Sequence, residues 1–365
     1  MPVEDREGER RVAAVPDTVV RLVRAGLDVV VQAGAGVRAS HSDAEYEAAG
    51  AVVASDPDFS AADVVVHVSP LSPARVSALR RGALTIGFAA PGANAEGLAA
   101  AVAAGVTTMA VERLPRISRA QSMDALTSQA LVAGYQAALV AASRSGGFFP
   151  LLMTAAGTVP PAKVLVLGAG VAGLQSIATA KRLGAVVSAY DVRPASADEV
   201  RSMGATFVHL DLEALEGQGG YAREMTEDRA ARQRELLAPF VAGSNVLITT
   251  AAVPGRRAPL LVTADMVAGM APGSVVVDLA AETGGNVEGV EAGVEQDRDG
   301  VLVWGARDMA SRMPADASRL YARNVAELLL LMTGEGGVVE PDYDDEIVAA
   351  IWLTRDGAAR EEATA

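Results

Sequence analysis

The chain is 365 residues long, half of them hydrophobic and 21% charged, with no cysteine and a formal net charge of -14. That length exceeds one ordinary core and predicts two lobes, each large enough to bury a stable interior. The acidic balance excludes nucleic acid as a partner and argues against an anionic lipid surface, because polyanions attract basic faces. The absence of cysteine excludes disulfides, a thiolate nucleophile and cysteine-based zinc, which fits a reducing compartment.

Mean hydropathy is +0.25, yet the apolar stretches are interrupted by glycine, proline or charge before about 18 residues, short of a membrane span. The start, "MPVEDREGERR", has neither an apolar export segment nor an acid-free amphipathic pattern, so a soluble, cytoplasmic protein is expected. In chain order, "LDVVVQ" (27–32), "ADVVVHV" (62–68), "ALTIGF" (83–88) and "GVTTMAV" (105–111) read as strands separated by helix-length segments. "MDALTSQALVAGYQAALVAASR" (123–144) reads as one long helix ended by "GGFFP", a natural hinge. A clearer strand series follows: "AKVLVLGAG" (162–170), "AVVSAYD" (185–191), "ATFVHLD" (205–211), "SNVLITT" (244–250), "GSVVVDLA" (273–280) and "GVLVWG" (300–305). Then "ADASRLYARNVAELLLLMTG" (315–334) has the pattern of an amphipathic helix that returns the chain to the first lobe, ahead of a polar, loose tail beyond about 355.

Gly168, Gly170 and Gly173 follow an apolar strand and open a helix closed by Gly184. In that setting Gly168-Ala169-Gly170-Val171-Ala172-Gly173 predicts a pyrophosphate cradle: the first glycine for a tight turn, the second for close approach of the backbone, the third for helix–strand packing. Asp191 ends the next strand, about 20 residues on, where a carboxylate takes the adenosine ribose and repels a 2'-phosphate, favouring NAD. Val192 and Arg193 follow it, and an arginine there can accommodate a 2'-phosphate; Thr250 and Ala251, at the end of the 244–250 run and just past it, complete the candidate cofactor contacts. The fold class expected is therefore α/β, with two Rossmann-like lobes, each a doubly wound parallel sheet, joined by long helices. The first lobe is discontinuous, 1–125 plus 311–365; the second, 126–310, is the NAD-binding Rossmann domain and includes the linking helix.

"PRISRAQSMD" (115–124) gathers two arginines, two serines, a glutamine and an aspartate ahead of an alanine-rich helix. Ser118 and Gln121 have the spacing of a capping box, which leaves Arg116, Arg119, Ser122 and Asp124 to be explained as a solvated turn or as function. An arginine and aspartate this close can pair and fix a loop, freeing Gln121.

"MAVERLPRISRAQSMDALTSQALVAGYQA", "FFPLLMTAAGTVPPAKVLVLGAGVAGLQSIATAKRLGAVV", "GGYAREM" and "DLAAETGGN" together resemble the NAD(H)-binding component, alpha subunit or domain I, of proton-translocating NAD(P) transhydrogenase. The resemblance runs over nearly the whole chain. It implies NAD in the cleft and on the second lobe, with Arg116 and Asp124 holding the polar loop and Gln121 reaching toward the nicotinamide. Thr127 stands where the family usually has a serine near the carboxamide. Tyr221 and Met225 fall in the family's mobile flap over NAD(H). The resemblance further implies a homodimer, peripheral on the inner face of the cytoplasmic membrane. NADP(H) would sit on a beta subunit and the proton channel on a membrane-spanning partner.

Direct hydride transfer between nicotinamides needs no general acid, and His41, His67 and His209 sit in no recognisable catalytic or metal-ligand pairing. Alanine dehydrogenase, a relative with the same two lobes, needs a substrate-binding lysine, a catalytic histidine and an aspartate before a late glycine pair. Here the corresponding positions read His67, Phe88 and Glu282, while Arg11 could mimic a substrate-binding arginine. An amino-acid dehydrogenase and a non-catalytic NAD-sensing subunit are the alternatives. Two departures stand out. The N-terminus lacks the usual first apolar strand, implying a clipped sheet edge or a start a few residues upstream; and Asp308 replaces the usual asparagine by the nicotinamide, unless it turns to solvent. The long 123–144 helix has an apolar face that fits either a dimer contact or the chain's own core.

Overall fold

The structure, a computed structural model, describes residues 1–212, 226–252 and 256–360. The chain divides into two compact units, unit 1 being Met1–Gln129 with Ala310–Ala365 and unit 2 being Ala130–Met309.

Unit 1 begins with α1 (Pro16–Arg24), β1 (Val30–Gln32), α2 (Asp43–Ala48) and β2 (Val52–Ala54), the two strands forming a parallel pair of their own. It continues with β3 (Val64–Val66), α3 (Pro73–Ser77), β4 (Leu84–Gly87), α4 (Ala95–Ala104) and β5 (Thr107–Ala110). β3, β4 and β5 are parallel neighbours, and every residue of β4 and β5 is buried, as strands covered on both faces require. A 3-10 segment (Ser118–Met123) leads into α5 (Ala125–Arg144), along which the chain leaves unit 1. Gly134 does not break this helix. Among the described residues α5 is the one helix long and apolar enough to cross a bilayer by length and composition. Its Ala137, Ala138, Val140 and Ala141 are buried in the core of unit 2.

Unit 2 opens with an antiparallel hairpin, β6 (Leu152–Thr154) and β7 (Gly157–Val159), that the sequence reading missed. There follow β8 (Lys163–Leu167), α6 (Val171–Arg182), β9 (Val186–Tyr190), α7 (Ser196–Ser202), β10 (Thr206–Phe207), α8 (Glu227–Ala242), β11 (Val246–Thr249), α9 (Ala264–Ala268), β12 (Val275–Asp278), β13 (Glu295–Arg298) and β14 (Val301–Gly305). The sheet order is β10-β9-β8-β11-β12-β14-β13, parallel except for β13 at the edge. β13 alternates exposed and half-buried polar residues, so it carries no apolar signal and was not legible as a strand. The order reverses at β8 and β11, placing a crevice at their carboxyl ends where ligands bind such sheets.

The chain re-enters unit 1 as α10 (Pro314–Leu331), then α11 (Glu346–Ile351), β15 (Trp352–Arg355) and β16 (Ala358–Ala359). The expected loose tail is thus corrected through residue 359. β15 lies antiparallel to β5, and Thr354 Oγ1 donates to the Val106 carbonyl at 2.9 Å. The cause is pairing: β16 lies antiparallel to β15, and Arg360 donates its amide to the Leu353 carbonyl at 2.8 Å and Nη1 to the Ala349 carbonyl at 2.7 Å. The first lobe is likewise not one continuous parallel sheet, since β1 and β2 stand apart and β15 and β16 add antiparallel strands.

Candidate functional site

The glycine cradle of unit 2 has the geometry its spacing demands. Gly168 turns at φ +98°, a conformation that side chains oppose, and a Cβ there would lie 2.7 Å from Thr250 Oγ1. A Cβ on Gly173 would lie 1.9 Å from the Gly168 carbonyl oxygen, so only glycine lets α6 pack so close to the loop. A Cβ on Gly170 would meet nothing within 4 Å. Space is kept clear in front of the second glycine, at the amino end of α6, where Val171 is exposed and Ala172 half-buried. Those properties fit a bound pyrophosphate. Further along, Gly134 of α5 packs against the Ala172 carbonyl, and Ser176 Oγ lies 2.8 Å from the Gly134 oxygen.

Asp191, at the end of β9, is tied into this loop. Its Oδ2 accepts from the Ala169 amide at 2.7 Å and from Arg193 Nη2 at 2.9 Å; its Oδ1 accepts from the Arg193 amide and Nε, each at 2.9 Å. Four bonds fill the acceptor capacity of one carboxylate. Val192 beside them is half-buried. On the facing strand end, Thr250 Oγ1 donates to the Gly168 carbonyl at 3.0 Å, and Ala251 is held at both its backbone groups by Asn286.

Asn286 is a residue whose role sequence reasoning missed, although "DLAAETGGN" contains it. Its side chain accepts from the Ala251 amide and donates to the Ala251 and Pro259 carbonyls, at 3.0, 2.8 and 2.8 Å. Its own amide, with those of Val287 and Ala280, donates to the buried carboxylate of Asp278. Burial pushes that carboxyl up, and the amides pull it back. A strand-ending aspartate ahead of a glycine pair was the available signal. Thus the segment after β12 fastens the segment after β11, beside the cradle.

A second cluster lies in unit 1. In the 3-10 segment Ala120 and Met123 are 1% and 6% exposed and pack in the unit's core, while Ser118, Arg119, Gln121 and Ser122, and Arg116 just before the segment, are exposed. Alternation between anchors and exposed polar side chains is what made the decapeptide look anomalous as sequence. Helix capping is assigned differently from the Ser118–Gln121 box. The α-helical amides begin at Ala125, so Asp124 is the cap: it accepts from the Thr127 amide at 2.9 Å and from Thr127 Oγ1 at 2.6 Å. No side chain caps the 3-10 segment. Arg119 pairs with Asp345 at 2.7 Å.

In the same unit, Arg11 donates Nε and Nη2 to Glu9 and Nη1 to Gln129 Oε1, at 2.8, 2.6 and 2.9 Å. Burial raises the Glu9 carboxyl, but hydrogen bonds from Arg11 and Ser311 outweigh it and bring it to about 2. His67 is 2% exposed, its Nδ1 lies 2.8 Å from the Ser69 carbonyl oxygen, and burial pushes it down to about 4, so the ring is neutral. Phe88 stacks on Tyr321 at 5.4 Å. Asp308, in unit 2, adopts φ +50°, which aspartate and asparagine tolerate better than most residues. Its side chain is 13% exposed, with Arg307 Nε 3.5 Å away, so it does not turn to solvent. Tyr221 and Met225 lie outside the described residues. No group of metal-ligating side chains occurs among the described residues.

A dinucleotide cradle in a sheet of this order, in a chain whose other unit presents a polar loop, defines a nucleotide-binding dehydrogenase architecture. The chain belongs to the alanine dehydrogenase/PNT family: its N-terminal domain profile matches residues 1–133 and its C-terminal domain profile residues 137–362. The chain is 44% identical over 369 residues to an NAD(P) transhydrogenase subunit alpha polypeptide of Rhodospirillum rubrum, covering 98% of this chain and 96% of that one. A crystal structure of transhydrogenase from Sinorhizobium meliloti matches with TM-score 0.86 and 46% identity, covering 98% and 96%. Alanine dehydrogenase of Bacillus subtilis is 29% identical, covering 100% and 93%.

Proposed function

We propose that this chain is the NAD(H)-binding subunit of a proton-translocating, Re/Si-specific NAD(P)+ transhydrogenase, passing hydride from NADH to NADP+ held on a beta subunit. Gly168 to Gly173 and the start of α6 would hold the pyrophosphate; Asp191, Val192 and Arg193 the adenosine ribose; Thr250 and Ala251 the facing wall. Thr127 would meet the carboxamide, Gln121 would align the nicotinamide, Arg116 and Asp124 would hold its loop, and Tyr221 and Met225 would close over the cofactor. NADH, when bound, supplies the hydride, leaving as NAD+ while NADP+ becomes NADPH. No proton enters or leaves at that step, so the task of these residues is positioning and exclusion of water.

Arg11 carries the choice within the family. A dehydrogenase acting on an amino acid needs a cation for the substrate carboxylate, and Arg11 has its guanidinium committed to Glu9 and Gln129. Phe88, stacked on Tyr321, moves no proton, and His67 is a buried neutral ring.

The assembly we infer is a homodimer docked on the cytoplasmic face of a membrane-spanning proton-channel subunit. The β6–β7 hairpin supports the dimer: Leu151, Met153 and Val159 on and beside it are 52%, 76% and 41% exposed, and a lone two-stranded hairpin gains stability from a partner. Met153→Asp is expected to shift the chain to monomer in light scattering; an unchanged mass removes the hairpin from the interface. Mixing the chain with a transhydrogenase NADP(H)-binding component and following hydride transfer between NADPH and an NAD+ analogue whose reduced form absorbs at a different wavelength tests the activity. Transfer supports the reading, NADH binding without transfer marks a sensing subunit, and oxidation of alanine by the chain alone marks a dehydrogenase.

A further inference from the structure

Ser122 follows Gln121, and its carbonyl oxygen accepts a 2.7 Å hydrogen bond from Asn324 Nδ2 on α10. Asn324 is 8% exposed. Its Oδ1 accepts from Ser128 Oγ at 2.7 Å; that oxygen accepts from Gln129 Nε2 at 3.1 Å; and Gln129 Oε1 accepts from Arg11 Nη1 at 2.9 Å. Arg11 rests on the fully buried Glu9. Every bond in this chain points the same way, each group donating to the next, an arrangement in which neighbouring bonds polarise and strengthen one another.

Resting on the functional reading above, we infer that Asn324 is a positioning residue for hydride transfer, the last member of a partly buried hydrogen-bond relay from Glu9 and Arg11 that sets the peptide next to Gln121. Ala120 and Met123 anchor the segment by burial, but apolar contacts are not directional. The backbone bond from the Asp124 amide to the Gln121 carbonyl is long, at 3.4 Å. Asn324 supplies the directional restraint, acting on the carbonyl immediately after the residue to be aligned.

Asn324→Asp keeps the size and the acceptor for Ser128 but turns an oxygen toward the Ser122 carbonyl. Single-turnover transfer from NADH to NADP+ is measured in the complex reconstituted with the NADP(H)-binding component, beside NADH affinity by fluorescence. The expected result is a rate about tenfold lower with affinity kept within about twofold, a split that loss of fold does not produce. Combining Asn324→Asp with Gln121→Asn is expected to be no slower than the slower single variant, because both act at one point. A rate within about twofold of wild type, or multiplying effects in the double variant, overturns the inference. Ser128→Ala, which frees the Asn324 amide to rotate, is expected to give the same split to a smaller extent; it decides the matter if Asn324→Asp does not fold, unchanged transfer then refuting the relay. Wild-type protein that binds NADH and transfers nothing refutes the functional reading instead.

Discussion

Asp191 has about four places to accept a hydrogen bond, and its own chain fills them: the Ala169 amide fixes the glycine loop, and three donors of Arg193 take the rest. In the proposed NADH complex, a ribose hydroxyl at Asp191 would therefore displace a bond from the Arg193 side chain. The same arginine neutralises the charge that would repel a 2'-phosphate. Arg193→Ala is expected to raise the ratio of NADH to NADPH affinity by about tenfold, roughly 1.4 kcal/mol, from exposing that charge. Equilibrium titration with both nucleotides checks this, and a ratio that falls assigns Arg193 to NADH. Asp191 and the arginine two positions on were legible as sequence. That each occupies the other was not, because a side-chain pairing depends on rotamers that spacing leaves free.

At the scale of the element, the β8-loop-α6 unit separates two duties that a glycine fingerprint runs together. Gly173 serves packing, since any Cβ strikes the Gly168 carbonyl; a Cβ on Gly170 strikes no protein atom, which leaves that position to the proposed ligand. Gly173→Ala is expected to destabilise the chain by about 1–3 kcal/mol, in the range of overpacking. Gly170→Ala, at φ -77°, is expected to leave stability within about 0.5 kcal/mol while weakening NADH at least about tenfold. Denaturant unfolding and NADH titration on both variants test the pair; equal losses of stability would erase the distinction. Strand, loop and helix here were legible in full because apolar run, glycine spacing and helix pattern coincide. The β6–β7 hairpin was not, since strand exposure on both faces removes the alternation that marks a half-buried strand.

Across the whole molecule, the stability of unit 1 leans on a charged group with no exposure. Glu9 is brought from the ordinary carboxylate range down to about 2, so its contribution is fully present above about pH 4.5 and is lost as pH falls through about 2. Glu9→Gln strands the Arg11 guanidinium and is expected to cost about 3 kcal/mol at pH 7. That gap is expected to narrow as pH falls from 4.5 toward 2. Unfolding curves at pH 7 and pH 3 check it, and a gap of constant size would dissociate Glu9 from acid sensitivity.

Sequence by itself determined the alternation of strands and helices, the glycine cradle, its paired acid and the oddity of the polar loop, because each is local: periodicity and short spacing survive without knowledge of neighbours. Only the tertiary structure decided what distant residues share. It joined β15 to β5, set Asn286 against Ala251, and placed Asn324 behind Ser122, 202 positions apart. Such contacts leave no periodic trace in the chain, since they are chosen by which buried donors and acceptors must satisfy one another once the core has closed.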